Sequence, residues 1–296
     1  SLNWLRSLNE LADIAVKVED FQLANSSFIS AKGLLQNMSG VDPEDAFYCY
    51  YLGARTNLNF GANDVAIVNS QRAISLAETS DKPLWLADAL TVLAGAHKEK
   101  GDATSARTAY RRAAATLEDY GRRPARLATV YLNLGTMAAG GKAPNAALDY
   151  FDRAQPLIAA DDAKLQFEFA IRKAFALTNL ERMPEAIDLL NGGISLLTGK
   201  SASSETELPV LLPDSIPPHL YTTASRLIGE RANALLKLEQ SKAALSDYET
   251  YLRLLDLLRG RVNSDASRRY LSQNHRFYFD RAIAILLDTV LYTPTT

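Results

Sequence analysis

The sequence predicts an all-α chain built as an α-solenoid of about six helix-turn-helix hairpins. Three observations predict it. A common alternation of bulky and small apolar residues returns at starts near residues 5, 46, 87, 128, 167 and 225, so most of the chain repeats itself at intervals of about 40 residues. Within each copy the apolar residues recur at three- and four-residue steps, the spacing of one helix face, and a glycine or polar break separates two such faces. The 296 residues, 47% hydrophobic, exceed the usual size of one compact core, and a repeat array accommodates that excess.

Residues 5 to 31 supply the first hairpin through Leu8, Leu11, Ala12, Ala15, Ala24, Phe28 and Ala31. The second starts near Ala46 with Leu52, Gly53, Gly61, Ala66 and Ala73, and on this register carries one extra residue between its helices. Residues 87 to 113 are the clearest copy, with Leu90, Leu93, Ala94, His97, Gly101, Ala106, Tyr110 and Ala113. Residues 128 to 154 follow closely with Tyr131, Leu134, Gly135, Ala147, Phe151 and Ala154. Two copies are more degenerate: 167 to 193 has Ala174, Leu177, Ala186 and Leu190, and 225 to 251 has Ile228, Ala232, Leu235, Ala244 and Tyr248.

This pattern resembles the tetratricopeptide repeat (TPR). Its small residues let the two helices of a hairpin approach closely, and its bulky ones fill the groove between successive hairpins. The resemblance implies a right-handed superhelix. A period of about 41 exceeds the usual ~34 by about two helical turns, one added turn per helix, which lengthens a hairpin without rotating its buried face. The last interval is longer still, and the surplus falls on "GKSASSETELPVLLPDSIPP", 199 to 218, whose four prolines exclude a regular helix. That stretch is expected to be a mobile loop, with packing of "PVLLP" onto the array or a partner as the alternative. The expected domains are the array, 1 to 258, and a C-terminal capping or junction helix, 259 to 296.

Composition excludes several classes of function. A net charge of −2 gives no global attraction to nucleic acid or anionic lipid. No apolar run, Ala282 to Leu287 included, approaches the ~20 residues of a membrane span. No secretory leader opens the chain, so a cytoplasmic protein is expected. A lone cysteine allows no intrachain disulfide, and three scattered histidines argue against a metal centre. Cys49 lies at a core-type position with no histidine before it, and "GTMAAGGKA", 135 to 143, lacks the residues of a phosphate-binding loop. Asp161 and Asp162 precede a helix, where stabilising its start is the ordinary role. The expectation is therefore no catalytic residue, no cofactor and no metal.

What a TPR array offers is a surface. In the family the first helix of each hairpin lines the concave groove, and its exposed offsets read a bound peptide or helix. On this register the lining comprises Arg6, Asn9, Asp13, Lys17, Tyr50 or Tyr51, Asp88, Thr91, Lys98 and Thr129, then Thr136, Glu168, Phe175, Asn179, Arg226, Asn233 and Lys237. The mixture is polar and of both signs. Asp13 stands where the TPR clamp for chaperone C-termini needs a group that attracts a carboxylate, so no such clamp is expected.

The final stretch, "LLRGRVNSDASRRYLSQNHRFYFDRAIAILLD", 257 to 288, collects arginines and aromatics. The chain breaks at Gly260 and restarts at Asn263, Ser264 or Asp265; Tyr270, Leu271, Phe277, Tyr278, Ile285 and Leu286 then form a stripe for packing on the array. Asp265 with Arg269 and Asp280 with Arg276 are spaced for intrahelical pairing, which argues against a nucleic-acid surface. Leu258, Arg259, Ser264, Arg268, Arg269, Tyr278, Ala282 and Leu286 resemble the segment that joins long TPR arrays to the protease domain of bacterial CHAT (caspase HetF associated with TPRs) proteins. The resemblance implies a sensor or recruitment array whose C-terminal effector lies outside these residues. Three readings follow: a protein or peptide interaction scaffold regulating an effector, a self-contained bacterial regulator answering a signalling peptide, or an enzyme with its site in the 199 to 218 insertion.

Overall fold

The computed structural model describes residues 1–18, 20–141, 144–199 and 212–260, together with 276, 278–281, 283, 284 and 287. Among them are twelve α-helices and no strand. They pair as six hairpins: α1 (Leu2–Lys17) with α2 (Phe21–Gln36), α3 (Pro43–Asn59) with α4 (Asn63–Thr79), α5 (Pro83–Glu99) with α6 (Ala103–Tyr120), α7 (Pro124–Ala139) with α8 (Pro144–Ala154), α9 (Ala163–Asn179) with α10 (Met183–Thr198), and α11 (Tyr221–Lys237) with α12 (Ser241–Arg259). The six hairpins are those of the six sequence copies. The chain divides into two compact units at Leu134 and Gly135, within α7. No helix among the described residues is long and apolar enough to cross a membrane.

A common turn joins the helices of four hairpins. Three residues link them, and the middle one is left-handed: Gly61 (φ 74°), Gly101 (φ 82°), Glu181 (φ 60°) and Glu239 (φ 60°). The next residue returns its N–H to the carbonyl five positions back, as from Asp102 to His97 at 2.9 Å and from Arg182 to Leu177 at 2.9 Å, which satisfies the helix end. The following helix often starts on an aspartate. Asp102 accepts from the Ser105 N–H at 3.0 Å and Asp162 from the Leu165 N–H at 3.0 Å, so Asp162 does have the helix-start role expected of it.

This turn corrects the second copy. Phe60–Ala62 is as long as Lys100–Asp102, so no extra residue separates α3 from α4. Aligning Gly61 with Gly101 moves the start of the copy from Ala46 to Phe47, and the small positions become Ala54, Ala66 and Ala73, all at 1% exposure or less.

Small residues sit where helices meet. Ala12, Ala24, Ala94, Ala106, Ala174, Ala186, Ala232 and Ala244 are buried, and a Cβ on Gly135 would lie 2.9 Å from the Phe151 ring. Leu11 departs from its expected core role: with Trp4 and Ile14 it is exposed on α1, the first helix of the array. Cys49 packs with Leu5, Phe28 and Ala31, and burial pushes its thiol up to about 12, which leaves it a structural residue.

Of the 199 to 218 insertion, residues 200–211 lie outside the described residues. Gly199 (φ 65°) ends α10; residues 212–220 form two single 3-10 turns, Pro213–Ser215 and Pro218–Leu220, and bury Ile216 in the core of the second unit. This end of the insertion packs against the second unit through Ile216. At the C-terminus, α12 stops before Gly260 as expected, and Arg276 pairs with Asp280 at 3.5 Å on an exposed helical turn. Tyr278 is the member of the predicted stripe that is described, and it packs over Gly229 and edge-on to Tyr251. The Asp265–Arg269 pair, the remaining stripe residues, and Ser264, Arg268, Arg269, Ala282 and Leu286 of the CHAT-like segment lie outside the described residues.

Candidate peptide-binding surface

The first helices of successive hairpins carry the predicted groove residues: α1, α3, α5 and α7 as far as Leu134 in the first unit, and the rest of α7 with α9 and α11 in the second. Within each unit these helices are tied to their neighbours by polar contacts, and the predicted residues supply many of the ties. Between α1 and α3, Arg6 grips Asp45 with Nε–Oδ1 at 2.9 Å and Nη2–Oδ2 at 3.0 Å. Asn9, expected in the groove, is buried and donates Nδ2 to the Asp45 carbonyl at 3.1 Å. Asp13 accepts from Arg55 of α3 at 3.2 Å and pairs with Lys17 at 2.5 Å. Between α5 and α7, Asp88 pairs with Arg126 at 3.0 Å. Burial pushes the Asp88 carboxyl up to about 6 despite the pull of Arg126 and Arg55.

Between α3 and α5 the tie is aromatic. Phe47 stacks on Tyr51 (5.5 Å, 9°) and on Trp85 (4.8 Å, 12°), Tyr48 meets both Phe47 and Trp85 edge-on, and the Arg55 guanidinium lies 5.6 Å from the Tyr51 ring centre. Tyr50 instead carries Arg72 over its ring, 5.5 Å from the centre. Where α1 and α3 part, a cavity of about 430 Å³ opens, walled by Glu10, Asp13, Glu44 and Asp45, by Tyr48 and Tyr51, and by Arg6, Asn9 and Leu52. That volume is within the range of ligand pockets.

In the second unit the central group is Glu168. Burial would raise its carboxyl, but Arg226 from α11 and Arg172 one turn along α9 more than reverse this and hold it at about 2. Arg172 also reaches Thr136 Oγ1 at 3.5 Å, Asn179 donates to the Ala139 carbonyl at 3.4 Å, and Lys237 donates to the Thr178 carbonyl at 3.2 Å. Asn233 is buried beneath Arg281, which donates to it, and its neighbour Glu230 accepts from the Tyr278 hydroxyl. Phe175 is half-buried. Thr91 and Thr129 bond to carbonyls of their own helices, and Lys98 pairs with the adjacent Glu99.

The structure thus brings Arg6, Asn9, Asp13 and Tyr51 to one cavity and spends Glu168, Arg226 and Asn233 on contacts between helices. Sequence reasoning missed Tyr48, Glu44, Asp45, Arg55 and Trp85. The corrected register recovers two of them, since Tyr48 and Arg55 fall on groove offsets once the copy starts at Phe47.

No family model and no curated protein matches the sequence. Solved structures do. Aspartyl phosphate phosphatase F from Bacillus subtilis aligns with a TM-score of 0.64 at 14% identity over 89% of this chain, which spans 62% of that protein. The Rap conjugation gene regulator of plasmid pLS20, solved in complex with the Phr* peptide, aligns at 0.59 and 16% identity over 93% of this chain and 73% of that one. BtubC from P. vanneervenii aligns at 0.55 and 20% identity, covering 70% of this chain and 86% of that one. The fold is that of helical repeat proteins.

Proposed function

We propose that the chain is a non-catalytic scaffold that binds a peptide or protein segment along the first helices of its hairpins. The cavity between α1 and α3 carries this reading: it is ligand-sized, walled by charged and aromatic side chains, and it combines three predicted groove residues of α1 with one of α3. A regulator of similar fold is known with a peptide bound, which supports the same class of ligand here. The finer reading is a sensor array for a C-terminal effector of the CHAT type, in which the helical residues held on α11 by Tyr278 and Arg281 form the connection.

The test is retention of members of a random decapeptide library on the immobilised chain. Retained peptides should bind without being altered, and Tyr48→Ala with Asp13→Ala should weaken them while leaving the unfolding midpoint of the second unit's contacts unchanged. Cleavage or modification of the peptides would overturn the non-catalytic reading, and retention of none would overturn peptide binding.

A further inference from the structure

The charge of the α1–α3 cavity is one-sided in a way that selects a ligand. It has four carboxylates, Glu10, Asp13, Glu44 and Asp45, against the single cation Arg6. Arg6 spends both Nε and Nη2 on Asp45, and Asp13 is met by Arg55 and Lys17. No described residue gives Glu10 or Glu44 a side-chain hydrogen bond or ion pair; Arg6 feels the charge of Glu44 but is bonded to Asp45, so carboxylates outnumber cations at the cavity wall. Tyr48 presents a ring that is 39% exposed, beside a stack whose rings already hold cations, Arg55 over Tyr51 and Lys82 over Trp85.

An independent observation comes from Asn9. Its side chain is nine-tenths buried and lines the cavity. The Nδ2 is committed to the Asp45 carbonyl, which leaves Oδ1 as an acceptor with no donor among the described residues. That oxygen is open to solvent on a side chain otherwise held in place, so a ligand N–H can bond it without displacing a protein contact. Two carboxylates without a hydrogen-bonded partner, an exposed aromatic face and an open amide acceptor all call for one chemistry: a cationic N–H donor.

We propose that this cavity receives a lysine or arginine side chain of the bound peptide, its N–H donated to Asn9 Oδ1, its charge set between Glu10 and Glu44, and its stem laid on Tyr48. A peptide carboxylate is disfavoured at the same place, which makes the cavity the opposite of a chaperone-tail clamp. This inference rests on the scaffold reading above and adds the chemical class of one contact.

The experiment pans the full chain against an N-terminally acetylated random decapeptide library and sequences what is retained. The expected result is about five- to tenfold enrichment of Lys and Arg at one position, falling towards onefold in the Glu10→Gln, Glu44→Gln double variant and with added salt, since these are screened surface charges and a cation–π contact. Both glutamates are exposed, so the double variant should keep the parent's thermal midpoint. Peptides retained without basic enrichment, or enriched in Asp and Glu, would overturn the cation site and leave the scaffold reading standing. Enrichment that appears only with free N-termini would replace the side chain by an α-ammonium and overturn the assignment. Retention of no peptide would sink both readings together.

Discussion

Glu168 on α9 and Arg226 on α11, 58 residues apart, form an ion pair, and Arg172 holds the same carboxylate with Nε–Oε2 at 2.9 Å. Its place on the first-helix face had suggested a ligand contact, but two guanidiniums already occupy it. The depressed Glu168 pKa means that the folded state favours the carboxylate, a stabilisation present above the ordinary glutamate value and lost as pH falls from about 4.5 towards 2. Glu168→Gln should therefore destabilise the second unit by about 1–3 kcal/mol at pH 7, and the gap from the parent should narrow as pH falls below 4.5 and close towards pH 2. Urea unfolding at pH 7 and pH 3 measures both; a gap that stays constant would mean the pair contributes nothing.

The hairpin repeat was legible in the sequence because burial imposes a periodic demand: Ala94, Ala106 and Ala113 are small because another helix passes against them. The polar ties were not legible. Arg6 with Asp45 and Glu168 with Arg226 pair across a whole hairpin, and any arginine on the face could reach several acids until the packing of the helices selects one. The cavity was half legible. Arg6, Asn9 and Asp13 follow from their offsets on α1, whereas a one-residue error in α3, where Gly53 and Ala54 both look like the small position, displaced Tyr48 and Arg55 from the groove. Arg231 shows another limit: it stands at an offset that usually takes a large apolar residue, and only the partners Asp247 and Asn191 explain it.

The two kinds of glycine separate under substitution by alanine. A Cβ on Gly53 would fall 2.1 Å from the Phe28 ring, in a packed core where neither helix can retreat freely. Gly192, inside α10, has nothing within 4 Å of the same atom. Gly53→Ala should cost about 1–3 kcal/mol through overpacking, and Gly192→Ala should stabilise by about 0.5–1 kcal/mol through helix propensity. Thermal midpoints moving in opposite directions are expected; a shared sign would refute the contrast.

Arg231 is 2% exposed and meets Asp247 through two contacts of 2.7 Å, with Nη1 donating to Asn191 at 2.8 Å. Breaking such a pair leaves a buried charge unpaired, so Asp247→Ala should cost about 3–5 kcal/mol. Replacing both partners together, Arg231→Met with Asp247→Leu, should recover most of that loss. Denaturation of the three proteins decides it: a double variant no better than the single one would show that packing around the pair, and not the stranded charge, sets the cost.

Glu230 reverses the pH behaviour of Glu168. Desolvation dominates at this buried carboxyl and lifts it to about 7, against the pull of the Tyr278 hydroxyl and the charges of Arg226, Arg281 and Lys237, while its Oε2 has no partner among the described residues. The folded state then holds a proton that the unfolded chain releases near pH 4.3, so this stabilisation is complete below that value and is lost as pH rises through about 7. Asp88 shifts in the same direction but has its midpoint lower, at about 6, and Glu168 acts below 4.5, so the interval from pH 6.5 to 8 reports mainly Glu230. Over that interval the parent should lose about 1 kcal/mol of stability, and Glu230→Gln, an amide that never ionises yet still accepts from Tyr278, should stay level. The parallel readout is Tyr278 itself: its fluorescence should become more accessible to an uncharged quencher as pH rises in the parent and remain constant in the variant. Equal slopes for the two proteins would show that the carboxyl is already ionised at pH 6.5 and that its neighbours, Arg226 and Arg281, compensate its burial.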